Sequence, residues 1–359
     1  MDDIEAYSVN LAPTTRLLVD WYRAGHRDLP WRKDPSPYRV WISEIMLQQT
    51  RVQAAIPYYH RFLSLFPDVH TLAAAPEDLL LKAWEGLGYY SRARNLQKAA
   101  RQICENLSGR FPDTYDGWLA LPGVGPYTAG AVCSIAFSQP VPAVDGNVLR
   151  VFSRLMALEE DISAPAVKKK MTRLVASLLP PDASGDYNQA LMELGATLCP
   201  PNGAPVCKEC PVSAHCRAFQ DENQLLFPLK SAKKPRKILP MTVFLLENQG
   251  RWALLQRPAK GLLANLWEFP NTDGHLSARE MSSYLEQWIR PAGSPLFLGN
   301  AVHIFTHLEW HMSGWRIPVE EILPGCPFTW AEPEEIKHLY AIPSAFSSFL
   351  PVCFIKNTL

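Results

Sequence analysis

The spacing of apolar residues changes once along the chain, near residue 227, and this change limits the folds open to it. From about Leu11 to Gln220, apolar residues recur mostly at intervals of three and four, with Pro and Gly between the runs. This pattern predicts many medium-length helices. They include Leu11–Ala24, Val40–Gln49, Arg51–Leu65, Ala93–Leu107, Tyr127–Phe137, Val148–Leu158 and Pro165–Leu179.

Beyond residue 238 the pattern becomes one of short β-prone runs. Met241–Leu246 and Trp252–Gln256 flank Asn248-Gln249-Gly250, a sequence typical of a hairpin turn. Further strands are predicted at Leu296–Leu298, Ala301–Leu308 and Trp315–Val319, and a helix at Ala278–Trp288. We therefore expect an all-α domain over residues 1–227, a basic linker over 228–237 and a smaller α+β domain over 238–359.

Charge and hydropathy exclude several classes of protein. The 359 residues carry 35 Lys and Arg against 35 Asp and Glu, which argues against a protein that holds polyanions by bulk charge alone. Five of the basic residues lie in 228–237, which contains no acidic residue. The sequence has no run of about 18 apolar residues and no signal-peptide pattern at its start, so we expect a cytoplasmic protein without a membrane association.

The segment Leu121-Pro-Gly-Val-Gly-Pro-Tyr-Thr-Ala129 places Gly123 and Gly125 in a tight turn between two predicted helices. Such a turn can aim backbone N–H groups at a phosphate, because glycine permits close approach and a helix N-terminus carries positive partial charge. The alternative is an ordinary helical hairpin that needs glycine for its geometry alone.

Two carboxylates are candidates for acid–base chemistry. Asp145 stands just before the amphipathic helix that begins near Val148, so it is either a simple N-cap or a catalytic carboxylate kept ionised by the helix dipole. Glu44 lies among Trp41 and other apolar residues, where a carboxyl group stays protonated to a higher pH and suits a general acid. The alternative for Glu44 is a solvent-facing residue on an amphipathic helix.

Four of the eight cysteines form the pattern C-x7-C-x2-C-x5-C, at Cys199, Cys207, Cys210 and Cys216. Four thiolates within eighteen residues predict a metal site, and the spacing fits a [4Fe–4S] cluster or tetrahedral Zn²⁺ equally well. The other four cysteines are scattered, unlike a secreted disulfide framework.

Together, the hairpin, the aspartate about twenty residues beyond it and the four cysteines resemble the helix-hairpin-helix family of base-excision DNA glycosylases that carry an iron–sulfur cluster. Tyr127 stands where the endonuclease III branch has a catalytic lysine, so no Schiff base is expected. Tyr127 resembles the adenine DNA glycosylase branch instead, as do Leu29–Arg32, Glu44–Thr50 and Gly86–Arg92. That branch removes adenine mispaired with 8-oxoguanine.

The resemblance implies a role for each matching residue. Glu44 would protonate the adenine, Asp145 would stabilise the oxocarbenium-like sugar or attack it, and Tyr127 and Asn147 would position Asp145 and the water. The motif glycines Gly123 and Gly125 would grip the DNA backbone. The residues implied at the mispair are Gln49 and Tyr89 as wedges, Thr50 and Arg32 near 8-oxoguanine, and Trp31 and Gln189 in the adenine pocket. For Trp31 and Tyr89 the alternative is ordinary aromatic core packing.

The C-terminal domain resembles the Nudix-like reader domain of the same enzymes through Gly261–Pro270. Phe305-Thr306-His307 matches the family's element that senses 8-oxoguanine, with Thr in place of the usual Ser; the alternative is that Phe305 and His307 are the two faces of a strand. No paired-glutamate metal helix follows, so pyrophosphatase activity is not expected.

The sequence departs from the family in the cysteine loop. The first interval has seven residues instead of six, and Pro200–Val206 contains no Lys or Arg. The expected protein is a monomeric, monofunctional adenine glycosylase with a [4Fe–4S] cluster, acting on double-stranded DNA with A opposite 8-oxoguanine or G. Two rival functions are a bifunctional glycosylase and lyase, and a non-catalytic mispair-binding protein.

Overall fold

The computed structural model describes residues 3–232 and 235–354, and only the backbone of residues 3–6. Residues 233 and 234 of the predicted linker, and the outermost residues of both predicted domains, lie outside this part. The chain forms two compact units, one of Met1–Ala74 with Asn95–Ala232 and one of Ala75–Arg94 with Lys233–Leu359. Within the described residues, no helix has the length and apolar character needed to cross a membrane.

From residue 3 to residue 226, all the regular secondary structure of the described chain is helical, as the apolar periodicity predicts. Proline at the first helical turn starts several of them, since its missing N–H has no partner to lose there. The α-helices are α1 Asp3–Gly25, α2 Pro30–Lys33, α3 Pro37–Leu47, α4 Val52–Leu65, α5 Val69–Ala74, α6 Glu77–Ala83, α7 Ser91–Leu107, α8 Tyr115–Leu119, α9 Pro126–Phe137, α10 Gly146–Met156, α11 Pro165–Leu178, α12 Ser184–Thr197 and α13 Arg217–Gln220.

One apolar core of the first unit gathers α1, α10, α11 and α12. Leu18, Val148, Phe152, Val175 and Tyr187 are almost fully buried in it. Burial of such side chains contributes about 1.5–3 kcal/mol each. This core fixes α10 and α12, which both carry residues of the candidate site.

The second unit contains a mixed sheet. The strands are β1 Lys237–Asn248, β2 Arg251–Gln256, β3 Trp267–Glu268, β4 Asn271–Asp273, β5 Ile289–Pro291, β6 Leu296–Ile304, β7 Leu308–Ile322 and β8 Thr329–Ala331, with helices α14 Ala278–Leu285 and α15 Pro333–His338. Neighbouring strands follow the order β3-β2-β1-β7-β5, and β1 and β7 are parallel. Of the remaining strands, β4 pairs with β1, β6 with β7 and β8 with β2. The fold class, an all-α part followed by an α+β part, is confirmed.

The β1–β2 hairpin is confirmed with a two-residue turn in which Gln249 and Gly250 both have positive φ. Other predictions were wrong in extent. The predicted helix from Ala278 ends at Leu285, and the predicted strand Ala301–Leu308 is interrupted by a turn at residues 305–307. Strand β7 is longer than predicted because it has partners on both sides, so pairing extends through polar residues that lack apolar alternation.

The second compact unit includes a segment from earlier in the chain, Ala75–Arg94. Side chains in this segment bond the rest of that unit: Arg94 Nη1 donates to the Ala264 carbonyl at 2.7 Å, and Lys82 Nζ to the Tyr340 carbonyl at 2.9 Å. These long-range bonds leave no local sequence signal. The predicted limits at residues 227 and 238 stay a prediction.

Candidate active site

Glu44 is a buried acid on α3. Its neighbours along the helix include the buried residues Trp41, Ile45 and Met46, and Glu44 itself is only 5% exposed. Burial raises the pKa of its carboxyl to about 7, although a hydrogen bond from Tyr127 acts in the opposite direction. The alternative of a solvent-facing glutamate is therefore wrong, and the carboxyl has the environment of a general acid.

Tyr127 lies in the first turn of α9, directly after the glycine turn that follows α8. Its hydroxyl donates to Glu44 Oε2 at 2.5 Å and lies 3.1 Å from the Met192 Sδ. The hydroxyl thus bonds the buried Glu44, a contact that the sequence does not indicate. The role of Tyr127 in positioning Asp145 and the water stays a prediction. Burial raises the pKa of Tyr127 well above its usual value, so it remains a donor.

The glycine turn has the conformation that its sequence predicts. Gly123 has φ +75°, and a Cβ there would lie 2.6 Å from the Asn95 Cβ. Gly125 is the N-cap of α9 with φ −98°, and Pro126 follows at the first helical position. The turn therefore brings a helix N-terminus, whose first N–H groups have no partner within the helix, to the edge of the site.

Asp145 is the N-cap of α10. Its Oδ1 accepts from the backbone N–H groups of Asn147 and Val148, each at 2.8 Å, and its Oδ2 accepts from Asn147 Nδ2 at 2.7 Å. Burial raises the pKa of Asp145, and these hydrogen bonds act against that rise. The sequence predicted a dipole that favours ionisation; the donors are present, but desolvation outweighs them.

One cavity of about 690 Å³ brings these residues together in the first unit. The cavity is also lined by the seven residues of the first unit that were predicted from the sequence to contact DNA or the base. The predicted residues at the cavity are Glu44, Asp145, Tyr127, Asn147, Trp31, Arg32, Gln49, Thr50, Gly123, Gly125 and Gln189. Residues separated by up to 158 positions therefore converge on one space.

The cavity is also lined by a buried carboxylate that pairs with two arginines and that was not predicted from the sequence. Glu193 on α12 is 2% exposed and accepts from Arg27 Nε at 2.7 Å and from Arg32 Nη2 at 2.8 Å. Although burial acts to raise it, these two arginines hold the pKa of Glu193 at about 2. Glu193 follows Gln189 by four residues on α12, so it shares its helix face, and this spacing could have pointed to it.

The other four predicted contact residues lie in the second unit around a cavity of about 520 Å³: Tyr89, Phe305, Thr306 and His307. The Tyr89 hydroxyl lies 3.0 Å from the Thr306 Oγ1. Thr306 and His307 are exposed in the turn between β6 and β7, so the alternative of two strand faces is wrong. Tyr89 is 47% exposed and has φ +46°, so simple core packing is excluded for this ring. Trp31 is only 7% exposed, as the core-packing alternative requires.

The four cysteines of the C-x7-C-x2-C-x5-C pattern line one small cavity of about 30 Å³ in the first unit. Arg154 Nη1 lies 3.1 Å from the Cys199 Sγ, and burial raises the pKa of Cys210 to about 12. Among the described residues, no three His, Cys, Asp or Glu side chains are grouped so as to hold a metal ion. The four sulfurs around a common space nevertheless fit the donor set of a thiolate-bound centre.

Comparisons with known proteins match both parts of the chain. Residues 42–177 match the HhH-GPD superfamily of base excision DNA repair proteins, and residues 242–351 match the NUDIX domain. The Homo sapiens adenine DNA glycosylase is 36% identical over 401 residues, which cover 93% of this chain and 73% of the relative. The Arabidopsis thaliana adenine DNA glycosylase is 39% identical, over 86% of this chain and 58% of that protein.

The chain belongs to the adenine DNA glycosylase family. Its helical part has the fold of the HhH-GPD superfamily. The solved structure of a thermostable thymine-DNA glycosylase matches with a TM-score of 0.54 and 27% identity, over 59% of this chain and 97% of that one. An endonuclease III–DNA complex has the same fold, with a TM-score of 0.51 and 22% identity, over 60% of this chain and 97% of that one. Family membership confirms the predicted enzyme class, a DNA glycosylase of base excision repair, with an α+β NUDIX part at its C-terminal end.

Proposed function

We propose that this adenine DNA glycosylase hydrolyses the N-glycosidic bond of adenine opposite 8-oxoguanine or G in double-stranded DNA. The observation that carries the proposal is the pair of carboxyl groups, the buried Glu44 and the half-buried Asp145, at one cavity of about 690 Å³. Two carboxyl groups at a glycosidic bond can divide the work of protonating the leaving group and stabilising the sugar.

Glu44 is the general acid in this proposal. Adenine is a poor leaving group as an anion, so a proton must reach a ring nitrogen as the bond breaks. A carboxyl group with a pKa of about 7 is still largely protonated at slightly acid pH and gives up its proton readily near neutrality. The Tyr127 hydroxyl, 2.5 Å away, fixes the orientation of Glu44 and stabilises the carboxylate that remains after transfer.

Asp145 stabilises the positive charge that develops on the sugar. Asn147 Nδ2 and two backbone N–H groups hold both of its oxygens in place, so little reorganisation is needed when the charge forms. Water then adds to the anomeric carbon, its proton leaves, and the products are free adenine and an abasic site. The proton given up by Glu44 is restored from water.

The adenine must leave the base stack to enter the cavity, because a stacked base cannot meet Glu44. We assign Trp31 and Gln189 to the base pocket, Gln49 and Tyr89 to the mispair, and Gly123 and Gly125 to DNA phosphates. Thr50 and Arg32 line the large cavity and are assigned to positions near 8-oxoguanine. Arg32 Nη2 also bonds Glu193. Phe305, Thr306 and His307 are assigned to recognition of 8-oxoguanine.

A lyase reaction has little support. The bifunctional glycosylases need an amine that attacks the sugar and forms a Schiff base. Among the described residues that line the large cavity there is no lysine, and Tyr127 bonds the general acid. The proposal is therefore a monofunctional, hydrolytic enzyme.

Cys199, Cys207, Cys210 and Cys216 would hold the [4Fe–4S] cluster. When bound, the cluster would cross-link residues 199–216 and stabilise the end of the first unit. The chain's own part is the placement of the four thiols and of Arg154 beside the Cys199 sulfur. We further propose a monomer with a catalytic domain over residues 1–227 and an 8-oxoguanine-recognition domain over 238–359.

A single-turnover assay tests the proposal, with duplexes that place A opposite 8-oxoguanine, G or T. We expect adenine release in the first two duplexes and little in the third. Glu44→Gln should lower the rate of adenine release by about 10²–10⁴-fold. Asp145→Asn should also lose adenine release, and mispair binding should persist in both variants. Unchanged release in both variants would leave a non-catalytic role for the two acids, and a borohydride-trapped adduct would favour the lyase.

A further inference from the structure

The large cavity is separated from a second cavity of the first unit by side chains that line both. The second cavity has a volume of about 280 Å³ and lies between α1, the end of α9 and the start of α12. Arg32, Ile135 and Gln189 line both spaces. A molecule in the large cavity is thus one layer of side chains away from a second chamber.

The partition contains a donor without a partner. The Arg32 side chain is 10% exposed, and while its Nη2 bonds Glu193 and its Nη1 bonds the Arg27 carbonyl, its buried Nε has no hydrogen-bond partner among the described residues. The Nε is closed to both cavities in this structure. A buried unsatisfied N–H costs about 1–3 kcal/mol, so movement of the Arg32 side chain would be favoured by an acceptor that this N–H could then reach. A purine ring nitrogen is an acceptor of this kind.

The wall of the second cavity is rich in acceptors. His26 Nδ1 lies 2.9 Å from the Tyr22 carbonyl, which can only accept, so a neutral His26 carries its proton on Nδ1 and leaves Nε2 as an acceptor. Asp182 and Asp186 supply carboxylates, the latter paired with Arg23 at 2.7 Å. Such a wall favours a neutral molecule with several N–H donors.

Hydrolysis adds such an N–H donor to adenine. In DNA, N9 of adenine is bonded to the sugar; after cleavage the neutral free base bears a proton on a ring nitrogen in addition to its N6 amino group. We propose that the second cavity receives the free purine base after cleavage and lets it leave while the enzyme still holds the abasic DNA. The proposal rests on the proposed function. Passage requires the Arg32–Gln189–Ile135 partition to open.

Two substitutions at exposed residues of the second cavity test this route. Ser138→Trp and Asp182→Trp would each place a bulky ring at its rim, and both residues line the second cavity without lining the large one. Asp20→Trp, on the exposed surface of α1, is the matched control. Circular dichroism and thermal unfolding verify that each variant is folded.

The assay uses excess enzyme and a duplex with tritiated adenine opposite 8-oxoguanine. Alkaline strand scission reports bond cleavage, and rapid ultrafiltration separates free adenine from adenine retained with the protein–DNA complex. In the wild type and in Asp20→Trp, free adenine should appear with cleavage, before the DNA dissociates. In the two rim variants cleavage should be unchanged, and release of free adenine should be slower by about tenfold or more.

Equal release in rim variants, control and wild type would overturn the exit route. So would a wild type that retains adenine until the DNA dissociates. Absence of cleavage in the wild type is a different result, since it would contradict the proposed function itself.

Discussion

The Tyr127 hydroxyl donates a hydrogen bond of 2.5 Å to Glu44 Oε2, so a residue at the start of α9 controls the proton of a carboxyl group buried on α3. Burial sets the direction of the Glu44 pKa, and this bond limits the rise, because it favours the ionised form. The pair is therefore a unit whose pH response can be measured.

The pH dependence of adenine release should follow Glu44. Its protonated form is required, so the second-order rate constant should decrease as pH rises through about 7. Tyr127→Phe keeps the ring and removes the donor that lowers the pKa of Glu44. We therefore expect the alkaline decline to move to higher pH in this variant, measured by single-turnover kinetics from pH 5.5 to 9. A decline that stays in place or moves to lower pH would contradict the assignment.

Glu44 should also make the free energy of unfolding depend on pH. Its folded pKa of about 7 lies above the ordinary 4.5, so its stabilising contribution is complete below pH 4.5 and is lost as pH rises to 7. Glu44→Gln does not ionise and should become more stable than the wild type by on the order of 3 kcal/mol at pH 8. Urea denaturation at pH 5 and pH 8 measures this difference; equal stability at both pH values would exclude the raised pKa.

Glu193 should show the opposite sign. Its folded pKa of about 2 lies below the ordinary value, so its contribution to stability is present above pH 4.5 and is lost as pH falls toward 2. Glu193→Gln leaves Arg27 and Arg32 without their buried partner and should cost about 3–5 kcal/mol at pH 7. The difference should shrink in urea denaturation at pH 3.5. Asp28→Asn, which breaks an exposed pair with Lys33, should cost less than about 1 kcal/mol.

The two hairpin glycines should respond differently to alanine. Gly123→Ala forces a Cβ to within 2.6 Å of the Asn95 Cβ at φ +75°, and should destabilise the first unit by about 1–3 kcal/mol. At Gly125 no described atom lies within 4 Å of a Cβ, so Gly125→Ala should fold normally. If this backbone approaches a phosphate, the added methyl group should still weaken DNA binding. Thermal unfolding and binding titrations separate the two effects, and full affinity in Gly125→Ala would remove the hairpin from the DNA contact.

The four spaced cysteines should bind iron together. Purified wild type should absorb visible light and contain about four iron atoms per chain. Cys210→Ser should lose both the colour and the iron, whereas Cys104→Ser, at a half-buried cysteine far from the pattern in sequence, should retain them. A colourless, zinc-loaded wild type would contradict the iron–sulfur assignment.

Local sequence determined the helices, the β1–β2 hairpin and the glycine turn, because periodicity, capping and positive φ act between neighbouring residues. It also indicated a raised pKa for Glu44, since Trp41, Ile45 and Met46 surround it on one helix. Residue types at fixed spacing marked Cys199, Cys207, Cys210 and Cys216.

Only the tertiary structure decided which side chains meet across long separations. The bond from Tyr127 goes to Glu44 and not to Asp145, and Glu193 pairs with arginines more than 160 positions away. Burial outweighed the helix N-terminus at Asp145, and Ala75–Arg94 joined the second unit. Desolvation and long-range pairing depend on where elements pack, and that arrangement is a property of the whole fold and not of any short segment of the chain.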